Sequence, residues 1–164
     1  MPDSGLLLVL SGPSGVGKTS LARQVLAQVD GLFSVSVTTR PQSPQETHGV
    51  DYHFVNDETF LKMVESNELL EHAEVFGRHR YGTPRAPVEA EIEAGRVVIL
   101  DIDVQGAQQI RTTLPQALML FIEPPDEGDL EARLRNRGRD EEDAIARRLA
   151  EALSLIHISE PTRH

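Results

Sequence analysis

The stretch LLLVLSGPSGVGKTSLARQVL, residues 6–26, decides the fold of this chain. Its first five residues, 6–10, are all apolar, which is typical of a strand buried on both faces of a parallel sheet. A glycine-rich turn follows, and residues 18–28 then place Leu21 and Val25 on one face of a predicted helix. A buried strand, a turn and an amphipathic helix in this order indicate the first βα unit of an α/β protein.

The turn in this segment, GPSGVGKT, matches the phosphate-loop pattern G-x-x-x-x-G-K-[ST]. Glycines let backbone N–H groups point inward at phosphate oxygens, and the next helix presents its positive N-terminal end to the same anions. Lys18 is placed to reach the β- and γ-phosphates, and the Thr19 hydroxyl to ligate Mg²⁺. A chance glycine-rich turn is the alternative, but the flanking strand and helix favour nucleotide binding. The loop alone leaves GTPase, ATPase and kinase open. Its predicted binding residues are Gly12, Pro13, Ser14, Gly15, Val16, Gly17, Lys18 and Thr19.

The rest of the chain continues the alternation of strands and helices, which predicts a central parallel sheet. Two more apolar runs, at residues 97–103 and 117–122, are typical of buried strands. Asp57 is the predicted N-cap of a helix. The remaining predicted elements are strands at 33–39, 52–55 and 69–76, helices at 57–67, 87–94, 106–113 and 129–153, and a turn at 77–82.

The composition limits the classes of function. At 164 residues the chain is long enough for one domain, and its formal net charge of −10 disfavours nucleic-acid binding. Six arginines lie between residues 133 and 148, and on charge pattern alone we interpret them as solvated helix faces rather than a phosphate site. The absence of cysteine excludes disulfides and thiolate chemistry. With no signal peptide and no membrane-length apolar run, we expect a cytoplasmic protein that binds neither nucleic acid nor membrane.

Six further segments follow the phosphate loop in the order of a known family. They are SVTTR (36–40), GVDYHFV (49–55), ELLEHAEVFG (68–77), RYGT (80–83), LDIDVQGAQQIR (100–111) and RLRNRGRDEED (133–143). Together they resemble guanylate kinases, the nucleoside monophosphate kinases that move the γ-phosphoryl group of ATP to GMP. The similarity covers about residues 6–152 and is closest to the bacterial enzymes.

The resemblance implies a P-loop NTPase fold of the α/β class, with three α/β/α layers around a parallel sheet, in a single domain. The core would comprise about residues 1–33, 84–125 and 145–152. A small α+β insert at about 34–83 would bind GMP, and a helical lid would span about 126–144. The implied ligands are ATP and GMP, with Mg²⁺ as the cofactor that accompanies ATP.

The resemblance also implies an acceptor site. Glu71 would accept hydrogen bonds from the N1–H and the exocyclic amine of guanine together, and it would repel the N1 lone pair of adenine. Ordinary surface carboxylates are the alternative for Glu71 and Asp103, although Asp103 ends a predicted buried strand, where open α/β sheets bind ligands. The implied guanine contacts are Ser36, Glu71, Thr83 and Asp103. The implied contacts to the GMP phosphate are Arg40, Tyr52 and Tyr81, which offer a bidentate cation and two hydroxyl donors.

For catalysis, the resemblance assigns the arginine cluster a role beside Lys18. Arg133, Arg137 and Arg148 would clamp the transferring phosphoryl group, because fixed cations lower the barrier for charge that spreads over its oxygens. Asp101 would support Mg²⁺ together with Thr19. We expect no protein nucleophile or strong base, because the GMP phosphate is already anionic, and we expect lid closure to exclude water.

One position departs from the family pattern inside the acceptor site. The family usually has a second arginine three residues after the first, where this chain has Ser43. We expect the loss of that charge-assisted hydrogen bond to weaken GMP binding by about 1–3 kcal/mol. Arg78 or Arg80 is hypothesised to compensate.

The end of the chain departs further. Members of the family that this chain resembles continue with another strand, a loop that carries Asn-Asp near adenine, and a final helix. Residues 153–163 instead are LSLIHISEPTR, which resembles the translation of a transposase adapter from sequencing libraries. Our hypothesis is that the sequence from about residue 153 to 164 is an assembly artefact, and a genuine divergent tail is the alternative. A chain that lacked the family's last strand and helix would expose an edge of its sheet, and we expect such a chain to fold poorly or lack activity.

Two other functions stay open at this point. A non-catalytic guanylate-kinase-like module binds protein ligands, but such modules generally lack the phosphate loop that is present here. A related kinase of a sugar phosphate such as ribose bisphosphate is compatible with Ser43. Ser36, Glu71 and Asp103 favour guanine instead.

Overall fold

The computed structural model describes residues 4–13 and 15–123. Helices separate most of the strands along this part of the chain, but three successive strands and one hairpin have no helix between them. The elements are β1 (Leu6–Ser11), α1 (Lys18–Leu26), β2 (Gly31–Phe33), β3 (Val37–Thr38), β4 (His53–Phe54), α2 (Asp57–Glu65), β5 (Leu69–Val75), β6 (His79–Pro84), α3 (Arg85–Glu93), β7 (Val97–Asp101), α4 (Val104–Thr113) and β8 (Leu118–Phe121).

The first sheet is parallel and has the strand order β2-β7-β1-β8. Its strands are mostly apolar, and described helices pack on both faces of the central strand β1. On one face, Leu8 and Leu10 pack with Ala22 of α1. On the other face, Val9 packs with Val88 of α3 and Ile110 of α4. The α/β class with a central parallel sheet is thereby confirmed, since alternating side chains of one strand enter two separate apolar layers.

The second sheet has the order β4-β3-β6-β5 and is mixed. Strand β3 pairs parallel with β4 and antiparallel with β6, which in turn pairs antiparallel with β5. Helix α2 lies on one face of this sheet, where the fully buried ring of Phe60 packs with Val37 and Leu69. This small apolar cluster is separate from the two clusters of the first sheet.

Helix α4 packs against both sheets. Ala107 and Ile110 of α4 pack in the same core cluster as Val9 of the first sheet and Leu70 of β5. Consecutive residues of β5 therefore enter different cores, because Leu69 packs under α2 and Leu70 packs under α4. The position of β5 relative to the first sheet is consequently set by α4.

The prediction of one strand over residues 33–39 is wrong. The chain leaves the parallel sheet after Phe33 and enters the second sheet at Val37, so that residues 34–36 connect the two sheets. The whole segment has β-branched character, and strand propensity does not show which partner each half will pair with.

The predicted turn over residues 77–82 is also wrong for most of its length. Strands β5 and β6 form a hairpin, and only residues 76–78 lie outside its strands. Phe76 and Gly77 adopt φ values of 57° and 62°, the left-handed conformation that tight hairpin turns use. Gly82, which resembled a turn residue, lies inside β6, where a side chain would collide with Leu69.

The N-cap of α2 and the starts of two other helices differ from the predictions, since α3 begins at Arg85 rather than at residue 87 and α4 begins at Val104 rather than at residue 106. Asn56, rather than Asp57, caps α2, since its side chain accepts a hydrogen bond from Thr59 N–H at 2.8 Å. Strand β7 ends at Asp101, and Asp103 is the N-cap of α4, accepting from Gly106 N–H at 2.9 Å. The predicted helix at 129–153 lies outside the described residues. Within residues 4–13 and 15–123, no helix has the length and apolarity that crossing a membrane requires.

Candidate active site

The phosphate loop lies between β1 and α1, as predicted. Gly12, Gly15 and Gly17 adopt φ values of 138°, 82° and 102°, which L side chains rarely tolerate. At Gly12 a side chain would also collide with the carbonyl of Ile122 behind the loop. The glycines of the motif are therefore required by the backbone path. The predicted loop residue Ser14 lies outside the described residues.

Lys18 and Thr19 begin α1 and converge on Asp101 at the end of β7. Lys18 Nζ donates to the carbonyl of Gly12 at 2.8 Å and lies 3.4 Å from Asp101 Oδ1. The Thr19 hydroxyl donates to Asp101 Oδ2 at 3.1 Å. The carboxylate of Asp101, 82 residues after Thr19 in the chain, is thus shared between the loop cation and the loop hydroxyl.

The oxygens of Thr19 and Asp101 form a donor set that suits Mg²⁺. This cation is usually held by one or two protein oxygens together with phosphates and water. Among the described residues, no group of three His, Asp or Glu side chains could hold a metal ion by itself. Thr19 and Asp101 thus offer the small number of protein oxygens with which a nucleotide-bound Mg²⁺ is usually held.

A cleft of about 260 Å³ opens above the phosphate loop, between the two sheets. Its floor is the carboxyl end of the parallel sheet, where α/β proteins bind ligands. It brings together predicted residues from three separate parts of the chain. They are Gly15, Gly17, Lys18 and Thr19 of the loop, Ser36, Tyr52, Glu71 and Tyr81 from the second sheet and its connections, Asp101 at the end of β7, and Asp103 just after it.

Glu71 is the most deeply placed carboxylate of this cleft, with 4% of its surface exposed. The fully buried Thr83 donates its hydroxyl hydrogen to Glu71 Oε1 at 2.6 Å. Burial raises the pKa of Glu71 to about 7, the Thr83 hydrogen bond opposes that rise, and the nearby charge of Asp103 adds to it. Burial also raises the pKa of Asp103, against the Gly106 N–H bond and the charge of Lys18. Neither carboxyl group is an ordinary surface acid.

Gly106 was missing from the predicted site, although it contacts Glu71. A side chain at this position of α4 would overlap the Glu71 carboxylate, so the helix passes close to Glu71 only because residue 106 is glycine. The prediction made Gly106 the first residue of a helix over 106–113, so the sequence contained no clear signal for this contact. Because α4 begins at Val104, Gly106 lies inside it, where glycine costs about 1 kcal/mol relative to alanine and usually has a packing or functional reason.

Arg40 is held by a residue that the sequence analysis also missed. Its guanidinium bonds both carboxylate oxygens of Glu46, at 2.5 and 3.0 Å, and lies 5.3 Å from the centre of the Tyr52 ring. The hydrogen bonds from Arg40 lower the pKa of Glu46 to about 2, and the same bonds raise the pKa of Arg40. The rings of Tyr52 and Tyr81 are 5.8 Å apart. The predicted phosphate ligands Arg40, Tyr52 and Tyr81 therefore form one group.

Ser43 lies beside this group. Its N–H donates at 2.9 Å to the same Glu46 oxygen that accepts from Arg40. Arg80 instead pairs with Asp57 at the start of α2, which gives no support to the hypothesis that Arg80 compensates for Ser43. The same hypothesis for Arg78 stays a prediction.

Several predicted features lie outside the described residues. They are the arginines Arg133, Arg137 and Arg148, the helical lid at 126–144, and the stretch from residue 153 onward.

Comparisons with known proteins agree on one family. A family model described as guanylate kinase matches residues 4–161. The guanylate kinase of Thermosynechococcus vestitus is 53% identical over 156 residues, which cover 94% of this chain and 81% of that protein. The guanylate kinase of Zymomonas mobilis is 53% identical over 154 residues, 93% of this chain and 71% of its own length. The crystal structure of guanylate kinase from Anaplasma phagocytophilum superimposes with a TM-score of 0.70 at 36% identity, covering 93% of this chain and 74% of that one.

Proposed function

Because this chain belongs to the guanylate kinase family, we propose that the cleft between its two sheets is where the γ-phosphoryl group of ATP passes to GMP, giving ADP and GDP. The chain is an ATP:GMP phosphotransferase of purine nucleotide metabolism. One observation supports the location of the site above all others. The buried carboxylate of Glu71 and the phosphate-loop cation Lys18 line the same cleft, from different sheets.

The guanine base is recognised by carboxylates that water does not reach freely. Glu71 has one oxygen bonded to Thr83, and it lines the cleft together with Asp103 and Ser36. A buried carboxylate accepts strongly from paired N–H donors, which guanine presents at N1 and at its exocyclic amine. Adenine presents a lone pair at N1 and would leave Glu71 unsatisfied. The arrangement therefore favours GMP over AMP.

The phosphate of GMP is bound by Arg40, Tyr52 and Tyr81. Glu46 and the carbonyl of Pro41 take three hydrogen bonds from the Arg40 guanidinium, which has five N–H groups in all. A further side-chain hydrogen bond joins Arg40 to Tyr81. The Arg40 donor that remains and the O–H groups of the two tyrosines would bind phosphate oxygens. Binding at this place and at the base fixes the acceptor relative to the phosphate loop, and such positioning provides much of the catalysis in phosphoryl transfer.

The donor side is the phosphate loop with Lys18. Its backbone N–H groups and the N-terminal end of α1 bind the phosphates of ATP, and Lys18 moves from Gly12 to the β- and γ-phosphates. Thr19 and Asp101 would hold Mg²⁺, which when bound neutralises phosphate charge during transfer. Arg133, Arg137 and Arg148 are proposed to stabilise the transferring group. We also propose a cytoplasmic location, which cell fractionation would test.

The direct test is a coupled assay of ADP release with four acceptors, namely GMP, AMP, ribose bisphosphate and water. We expect turnover with GMP far above that with the others. Turnover with ribose bisphosphate alone would identify a sugar-phosphate kinase. GMP binding in calorimetry without turnover in the presence of Mg²⁺ and ATP would instead support a binding module.

A further inference from the structure

The side chain of Gln109 makes two hydrogen bonds to the backbone of a residue 37 positions away. Its Nε2 donates to the carbonyl of His72 at 2.7 Å, and its Oε1 accepts from His72 N–H at 3.1 Å. Only one orientation of the amide makes both bonds, so the pair fixes the rotation of the side chain as well as its position. An isolated surface glutamine has no such constraint.

The partner of Gln109 is the exposed backbone edge of the second sheet. Strand β5 is the last strand in the order β4-β3-β6-β5, so one side of its backbone has no neighbouring strand. The N–H and C=O of one strand residue point to the same side, and those of His72 point to α4. The Gln109 amide therefore makes, at His72 alone, the two hydrogen bonds that a further strand would make, and His72 directly follows Glu71.

Three residues on one side of α4 line the cleft or contact the part of β5 that lines it. Asp103, Gly106 and Gln109 are spaced three apart, which places them along one side of the helix. Asp103 is the N-cap and lines the cleft, Gly106 contacts the Glu71 carboxylate, and Gln109 holds the backbone beside it. Helix α4 thus carries one recognition carboxylate and holds the strand that carries the other.

We propose that Gln109 is a positioning residue for base selectivity, which fixes the separation of the Glu71 and Asp103 carboxylates by bonding β5 to α4. This inference rests on the proposed function. Without the amide, β5 is still packed under α4 through Leu70, so the fold persists. The strand then shifts or rotates about that apolar contact, and the two carboxylates no longer match the edge of guanine together.

The test compares ligand binding by wild type, Gln109→Ala and Gln108→Ala. Gln108 is an exposed residue of the same type on the same helix, and its substitution is the matched control. Isothermal calorimetry measures the affinities for GMP, for IMP, whose base lacks the exocyclic amine, and for ADP. In Gln109→Ala we expect GMP affinity to fall about tenfold and the preference for GMP over IMP to narrow, with ADP affinity unchanged. Gln108→Ala should match wild type in all three.

A second variant separates positioning from stability. In Gln109→Glu the introduced carboxylate accepts from His72 N–H, but it donates to the His72 carbonyl only when protonated. The ratio of its GMP affinity to that of wild type should therefore recover as the pH is lowered from about 6 to about 4, the range in which a glutamic acid takes up its proton. Gln109→Ala should show no such recovery.

The outcomes distinguish this inference from the function on which it rests. If wild type does not bind or phosphorylate GMP, the proposed function fails. If wild type does so, but Gln109→Ala keeps the GMP-to-IMP preference of Gln108→Ala, the positioning role is wrong. A drop in melting temperature with equal loss of GMP, IMP and ADP binding would likewise overturn it, because it would show a structural role alone.

Discussion

Glu71 links proton binding to substrate binding at the scale of one residue. Its pKa of about 7 in the fold exceeds its ordinary value of 4.5, so the folded state retains the proton where the unfolded state has lost it. The contribution of Glu71 to stability is therefore present below about pH 4.5 and is lost as the pH rises to about 7. Bound guanine donors favour the ionised form, so GMP affinity should rise with pH through about 7.

Substitution of Glu71 by glutamine tests this linkage. The amide oxygen of Glu71→Gln still accepts from Thr83 but cannot accept from both guanine donors. We expect GMP affinity to fall by about 1–3 kcal/mol, and stability at neutral pH to increase by up to roughly 3 kcal/mol. Calorimetry across pH gives the first quantity and denaturant unfolding the second. The pH dependence that remains in this variant is that of the GMP phosphate, and an unchanged profile near pH 7 would contradict the role of Glu71.

Ser43 offers a second test at the residue scale. Ser43 N–H lies 2.9 Å from the Glu46 oxygen that also bonds Arg40, so a cation introduced here would reach the phosphate subsite. Ser43→Arg should tighten GMP binding by about 1–3 kcal/mol, and added salt should reduce the gain. Ser43→Gln is the uncharged control. An equal change of GMP affinity in both variants, or no change in either, would show that the missing arginine at position 43 does not weaken GMP binding.

At the scale of the element, α4 contains a residue that disfavours helices, Gly106, at a place where we propose that the helix contributes to guanine recognition. Glycine to alanine inside a helix ordinarily stabilises by about 1 kcal/mol. At Gly106 the added methyl group overlaps the Glu71 carboxylate, the far end of a side chain that is able to shift. Gly106→Ala should therefore leave the melting temperature close to wild type and weaken GMP binding about tenfold. Gln105→Ala, the exposed neighbour in the same helix, is the control for helix propensity, and equal GMP affinity in both variants would rule out the steric role.

At the scale of the whole molecule, the proposed function assigns the donor and the acceptor to different sheets. Lys18 follows β1 of the parallel sheet and Glu71 lies in β5 of the second sheet, so we expect ATP and GMP to bind in different halves of the cleft. Lys18→Met should lower kcat by a factor of about 10² to 10³ and leave the calorimetric affinity for GMP unchanged. Glu71→Gln should show the converse pattern, with a higher KM for GMP and little change in ADP affinity. Loss of GMP binding in Lys18→Met would contradict this separation.

The sequence by itself determined the local features of this protein. An all-apolar run, the glycines of GPSGVGKT and a helical apolar period each depend on neighbouring residues, so β1, the phosphate loop and α1 could be predicted from their own segment. The predicted acceptor residues came from motif resemblance, and they are Ser36, Arg40, Tyr52, Glu71, Tyr81, Thr83 and Asp103. The structure places all but Arg40 and Thr83 along the cleft, with Arg40 against the Tyr52 ring and Thr83 bonded to Glu71.

Only the tertiary structure decided how distant segments meet. The division of residues 33–39 between two sheets depends on which strands are available as partners. The contact of Gly106 with Glu71 and the bonds of Gln109 to His72 join residues more than thirty positions apart. Such contacts follow from sheet order and helix docking, which no local period of hydrophobicity encodes. The raised pKa of Glu71 has the same origin, because burial is produced by the packed whole.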